Sequence, residues 1–187
     1  MTTINNNTKT ASNKPAANAS ITPLFATDYN VYINHTDAGG IVYHANHLVF
    51  FENCRRDWFT KIGINGYFLQ TDNGDVQHFV VSQADLQYKR AVLLDEVINV
   101  RIDSVELKPA SIVFYQSIHR HTSSTDANDS LLSRAKIVIA CVQNQVTAEA
   151  ISNEDAAVTH AAPMRPIRVP QKLHHAIKDA INQHDDK

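Results

Sequence analysis

The feature that most limits how this chain folds is one amphipathic segment. Leu48, Phe51, Cys54, Trp58, Phe59 and Ile62 recur at steps of three and four residues, which on a helix makes a single apolar stripe. Asn46 is a residue type that caps helix N-termini and Gly63 one that follows helix ends, so the spacing predicts a helix over Asn46–Lys61. Such a stripe needs a sheet to bury against. Residues 78–88, 96–107, 111–121 and 131–142 supply one, since each is rich in Val and Ile or alternates apolar with polar side chains. The short connections at 108–110 and 122–130 make these strands antiparallel neighbours. Upstream, Tyr29, Val31 and Ile33 alternate with polar positions, predicting a strand over 28–34. The order of elements is α+β, with one long helix lying across a curled antiparallel sheet. A single chain leaves one sheet face uncovered, so at least a homodimer is expected.

With 187 residues there is room for one domain and its extensions. Residues 1–23 read as a disordered polar tail, because Asn5, Asn6 and Asn7 and their neighbours bring too few apolar groups to offset the entropy of ordering. The domain then covers 24–162. A C-terminal extension, 163–187, follows, in which Pro163, Pro166 and Pro170 precede a short helix over 171–182 carrying Leu173, Ile177 and Ile181. The first 20 residues lack the apolar core of a secretory signal, and no apolar run reaches the ~18 residues of a membrane span. The expected location is the cytoplasm. A net charge of -2 without any long basic run argues against a nucleic-acid partner. Cys54 and Cys141 sit in apolar segments outside any Cys-x-x-Cys pair and read as buried free thiols.

Chemically capable residues are densest between Tyr32 and Asn46, where a carboxylate, imidazoles and a glycine pair precede the helix start. Gly39 and Gly40 permit backbone angles denied to other residues. The free N–H groups at a helix N-terminus carry partial positive charge, so a carbonyl placed there would be polarised and an oxyanion developing on it stabilised. Each donor of that kind lowers a barrier by ~3 kcal/mol.

The run Thr36-Asp37-Ala38-Gly39-Gly40-Ile41-Val42-Tyr43-His44-Ala45-Asn46, followed by Phe50-Phe51-Glu52-Asn53-Cys54-Arg55, resembles the signature of the YbgC family. These are the Tol-Pal-associated acyl-CoA thioesterases of the hotdog fold, akin to 4-hydroxybenzoyl-CoA thioesterase. The likeness extends from Tyr29 to about Val142 and includes Phe79-Val80-Val81, Leu94-Asp95 and Ser111-Ile112-Val113-Phe114. The resemblance implies a hotdog fold around the 46–61 helix and an active site shared across a homodimer or homotetramer. It makes Asp37 catalytic, as nucleophile or general base, with the N–H at His44 as oxyanion donor and Tyr32 and the His44 ring in support. Gly39, Gly40, Tyr43 and Asn46 would border the substrate, with Tyr88, Lys89, Arg90, Lys108 and Ser111 on its coenzyme A portion. The substrate implied is acyl-CoA, or an acyl carrier protein thioester, and no cofactor or metal is required. The sequence departs from the pattern at His35, His47 and Arg90, positions that bear on substrate choice more than on reaction type.

Plainer roles exist for the same residues. An Asp before Gly-Gly commonly bonds its own backbone in a turn. His44 with His47, and His119 with His121, have metal-like spacing but lack further ligands at zinc spacing. Glu52 stands three and four residues before Arg55 and Arg56, the spacing of a helix-face ion pair. Trp58, Phe51 and Phe59 are core, and no Gly-x-Ser-x-Gly elbow is present for serine chemistry. Two other functions fit the same fold: a hydratase or dehydratase of acyl chains, and a non-catalytic module that binds acyl-CoA or acyl carrier protein.

Overall fold

The computed structural model describes residues 22–64, 69–70, 76–121, 130–144 and 164–185. The expected polar tail up to residue 21 and the 122–129 connection lie outside them. The elements are β1 (Phe25–Asn30), a 3-10 turn (Ile33–His35), α1 (Asn46–Lys61), β2 (Leu69–Gln70), β3 (Val76–Tyr88), β4 (Val97–Leu107), β5 (Ser111–Arg120), β6 (Leu131–Asn144), β7 (Met164–Pro166) and α2 (Gln171–Asp185). The strands form one antiparallel sheet in the order β1-β4-β5-β6-β3-β2, with β7 on the end of β6. Extra residues at Ser82 in β3, Asp103 in β4 and Leu132 in β6 break the register and curl the sheet around α1. The expected α+β arrangement, one long helix wrapped by a curled antiparallel sheet, is the one present.

Period-two burial along β4 puts Ile98, Val100 and Ile102 under α1, joined by Ile112, Phe114 and Ile118 of β5 and Leu132, Ile137 and Ile139 of β6. Each such side chain contributes roughly 1.5–3 kcal/mol by leaving water. The C-terminal segment belongs to the same core, because Leu173 and Ile177 of α2 are fully buried in it. Both cysteines are buried and free. No helix among the described residues is long and apolar enough to cross a membrane.

Three expectations need correction. The first strand covers Phe25–Asn30 rather than 28–34, because after Asn30 the chain leaves the ladder and closes the 3-10 turn, with Ile33 exposed. The helical stripe is rotated: α1 buries His47, Phe50, Phe51, Cys54, Arg55 and Trp58, while Leu48 faces solvent. Two polar residues can hold core positions there because each has buried hydrogen-bond partners. His47 Nδ1 lies 3.0 Å from Ser133 Oγ, and Arg55 Nη1 donates to Gln116 Oε1 at 2.6 Å while Gln116 Nε2 donates to the Phe51 carbonyl at 3.1 Å. Arg55 is only 2% exposed and also bonds Glu52, so the expected surface pair is an anchor into the core. Thirdly, the residue before the helix is Ala45, without a side-chain cap, and Asn46 is the first helical residue. The far end is closed as Gly63 suggested: its φ is 80°, its N–H donates to Thr60, and the Ile64 N–H donates to Phe59.

Candidate active site

The segment between β1 and α1 folds into a compact loop pinned at three places. Thr36 pairs with Val42, so Asp37 N–H donates to the Ile41 carbonyl at 2.9 Å and the loop closes through Gly40 at φ 72°. The Val42 and Leu94 N–H groups bind the carbonyls of Val92 and Gly40, each at 2.9 Å, fastening the loop to the chain ahead of β4. That support includes Asp95 at φ 66°, a left-handed conformation Asp tolerates better than most residues. The third pin is the His35 carbonyl, which accepts from Tyr43 N–H at 2.9 Å and from Asn46 Nδ2 at 2.7 Å. One carbonyl thus ties the Asp37 loop to the start of α1, and it occupies the Asn46 side chain that the sequence suggested as a cap.

Asp37 is exposed, and its Oδ1 accepts from Gly39 N–H at 2.8 Å and Ile41 N–H at 3.3 Å. Both bonds fall on the same oxygen, which leaves Oδ2 for an external atom. A Cβ on Gly39 would come within 3.2 Å of that Oδ1, so glycine there lets the carboxylate sit close over the backbone. Across the junction, His44 N–H has no acceptor among the described residues. Tyr43 lies against the exposed His44 ring with centroids 4.1 Å apart and planes tilted by 48°, and Tyr32 lies beside His35 at 5.8 Å. Tyr32, Asp37, Gly39, Gly40, Tyr43, His44 and Asn46 therefore all belong to the pinned loop and its junction with α1.

Tyr88 joins them from the end of β3, its hydroxyl donating to the His44 carbonyl at 3.0 Å. Lys89 and Arg90 follow, exposed, with their backbone N–H groups on Leu132. Lys108 and Ser111 are elsewhere. They form the β4–β5 turn, with Lys108 N–H on the Ser111 carbonyl, whereas the loop of Asp37 adjoins the opposite end of β4, where Val31 N–H binds Glu96. A strand of 11 residues separates the two ends, roughly 30–35 Å within one chain.

The histidine pairs that suggested metal spacing are split by their surroundings. His47 is buried on Ser133 while His44 is in solvent, and burial together with the nearby His44 lowers the His47 pKa to about 4. His119 is buried with both ring nitrogens on serines, Ser130 at 2.9 Å and Ser117 at 3.0 Å, and burial brings its pKa to about 4 as well. His121 instead pairs with Asp28 at 3.2 Å. What the sequence reading missed is the structural weight of His35 and His47. The signal was present in both, since each stood out as a histidine where the motif usually has another residue.

The thioesterase-like superfamily matches residues 31–177 of the chain. The acyl-CoA thioesterase YbgC of Haemophilus influenzae is 34% identical over 118 residues, covering 63% of this chain and 80% of that protein. The acyl-CoA thioester hydrolase YbgC of Escherichia coli O6:H1 is 29% identical over 121 residues, 65% of this chain and 84% of that protein. The solved 4-hydroxybenzoyl-CoA thioesterase from Pseudomonas sp. strain CBS-3 superposes with a TM-score of 0.61 at 19% identity, covering 81% of this chain and 97% of that one. At that identity the likeness speaks to the fold, which is the hotdog fold implied by the 36–46 motif.

Proposed function

The chain belongs to the thioesterase-like superfamily, and from that premise we propose that it hydrolyses acyl-CoA thioesters with Asp37 as its catalytic carboxylate and the His44 N–H as oxyanion donor. One observation carries this reading. The His35 carbonyl ties the Asp37 loop to the start of α1, so an exposed carboxylate with a spare oxygen and an unengaged N–H belong to the same junction. A thioester carbonyl set there has its oxygen on His44 N–H, where negative charge develops as the carbon becomes tetrahedral. Two routes use these groups. In one, Asp37 Oδ2 attacks the carbonyl carbon, the C–S bond breaks, coenzyme A leaves as thiolate and water hydrolyses the mixed anhydride. In the other, Asp37 takes a proton from a water that attacks directly, and coenzyme A leaves as thiol. Both consume one water and yield free acid and coenzyme A.

Tyr32 and the His44 ring orient the substrate or water, and Gly39, Gly40, Tyr43 and Asn46 shape the surface on which the acyl group lies. Lys89 and Arg90 offer positive charge to the coenzyme A phosphates. Lys108 and Ser111 reach that substrate only from a neighbouring subunit, so their part in the reading entails a homodimer or homotetramer. The exposed apolar side chains Tyr32, Ile33, Ile41, Tyr43, Leu48 and Val49 around the site support such a partner. Coenzyme A arrives as part of the substrate and no separate cofactor is needed; an acyl carrier protein can present the same thioester. The proposed compartment is the cytoplasm.

A second reading has its own observation: the bonds from Gly39 and Ile41 to Asp37 Oδ1 are those of a turn residue, as in a module that binds acyl-CoA without cleaving it. Thiol release from short, long, aromatic and enoyl acyl-CoAs decides between them. Hydrolysis of at least one member is the expected result. Binding with no hydrolysis of any would move the assignment to the second reading.

A further inference from the structure

We infer that Tyr88, backed by His47 and Ser133, is a positioning residue that fixes the His44 backbone and thereby aims the proposed oxyanion donor; this rests on the thioesterase reading above. The peptide unit between Tyr43 and His44 is held at the Tyr43 carbonyl, which accepts from Asn46 N–H at 2.8 Å. In a trans peptide the carbonyl and the N–H point oppositely, so holding the one sets the direction of the other. The next unit, between His44 and Ala45, is held at the His44 carbonyl by the Tyr88 hydroxyl at 3.0 Å. Together the two bonds fix the torsions on both sides of the His44 Cα. The second comes from a strand 44 residues away in sequence. A local bond and a tertiary one together therefore set the conformation of this exposed turn.

Tyr88 is half exposed and would not hold its ring in place alone. Its ring meets that of His47 edge to face, with centroids 5.0 Å apart and planes at 81°. His47 in turn is buried and bound through Nδ1 to Ser133 Oγ at 3.0 Å. The line Ser133, His47, Tyr88, His44 thus runs from β6 through the first turn of α1 to the end of β3 and back to the oxyanion donor. Burial of His47 keeps its ring neutral at neutral pH, so no charge is carried to the site along that line. The resemblance implied a contact between Tyr88 and coenzyme A. The two roles separate in kinetics, because a binding contact acts on KM and an aiming contact on kcat.

The test is Tyr88→Phe, which removes one oxygen and keeps the ring against His47. With the acyl-CoA that the wild type cleaves best, kcat should fall about tenfold while KM changes less than about twofold. Ser133→Ala should lower kcat in the same direction by about threefold, and the double variant should be less impaired than the product of the two. An unchanged kcat, or a raised KM at constant kcat, would overturn the inference. Should the wild type cleave no thioester, the thioesterase reading fails separately, and backbone NMR order parameters at His44 and Ala45 still decide the clamp. They should drop in Tyr88→Phe; identical values in the two proteins would also overturn it.

Discussion

The two ends of α1 are finished in opposite ways. At the C-terminal end Gly63 turns left-handed, the Thr60 and Phe59 carbonyls find donors, and buried Ile64 and Trp58 seal the junction. At the N-terminal end Ala45 offers no side-chain cap, His44 N–H is left without an acceptor among the described residues, and Tyr43, His44, Leu48 and Val49 are exposed. A helix start left uncapped forgoes about 1 kcal/mol of stability that a Ser, Thr, Asp or Asn would supply. The proposed oxyanion donor, His44 N–H, precedes that cap position and is likewise unengaged among the described residues. One end of the helix is closed within the fold, and the other carries the residues to which the proposed function assigns the thioester.

That contrast can be pressed with acid. His47 and His119 both lie at the site end of the molecule, each with a pKa lowered by burial to about 4. An ordinary histidine in the unfolded chain titrates near 6.5, so the unfolded state binds more protons below that pH and stability falls as pH drops from ~6.5 towards ~4. Each histidine accounts for up to about 3 kcal/mol of the loss. Urea midpoints measured at intervals between neutral pH and pH 4 should therefore decline, with amide exchange rising first around residues 44–47 and 117–119. A flat profile would remove the difference between the two ends. A smaller effect is expected from Gly63→Ala. A Cβ there meets nothing within 4 Å, so the cost is the left-handed backbone alone, about 1–2 kcal/mol. Thermal unfolding should register it while hydrolysis stays at the wild-type rate; a loss of activity would mean that the two ends are coupled.

How much of this could be read from residues differs along the same lines. Helix α1 has the boundaries the spacing predicts, since Gly63 and the run of apolar residues act locally. The spacing also finds Phe51, Cys54 and Trp58 on its buried face, whereas burial of His47 and Arg55 depends on Ser133 and Gln116, far off in sequence. Residue type alone makes Asn46 a cap and does not show that its amide binds the His35 carbonyl. In the candidate site, the cluster from Tyr32 to Asn46 is contiguous in sequence and contiguous in space. Tyr88 joins it through a pairing between distant segments, and Lys108 and Ser111, drawn in by resemblance, sit at the other end of the sheet in the same chain. Motif and periodicity therefore located the loop and the helix, whereas the contacts that hold them together come from long-range packing.

The proposed function requires Asp37 to act on the thioester rather than only brace its own turn. Asp37→Asn isolates the difference, because the amide oxygen can still accept from Gly39 N–H while the carboxylate is gone. Thiol release from the preferred acyl-CoA should fall at least about a hundredfold, with the unfolding midpoint nearly unchanged. Activity retained within about threefold in a folded Asp37→Asn protein would contradict the account and leave Asp37 as a turn residue.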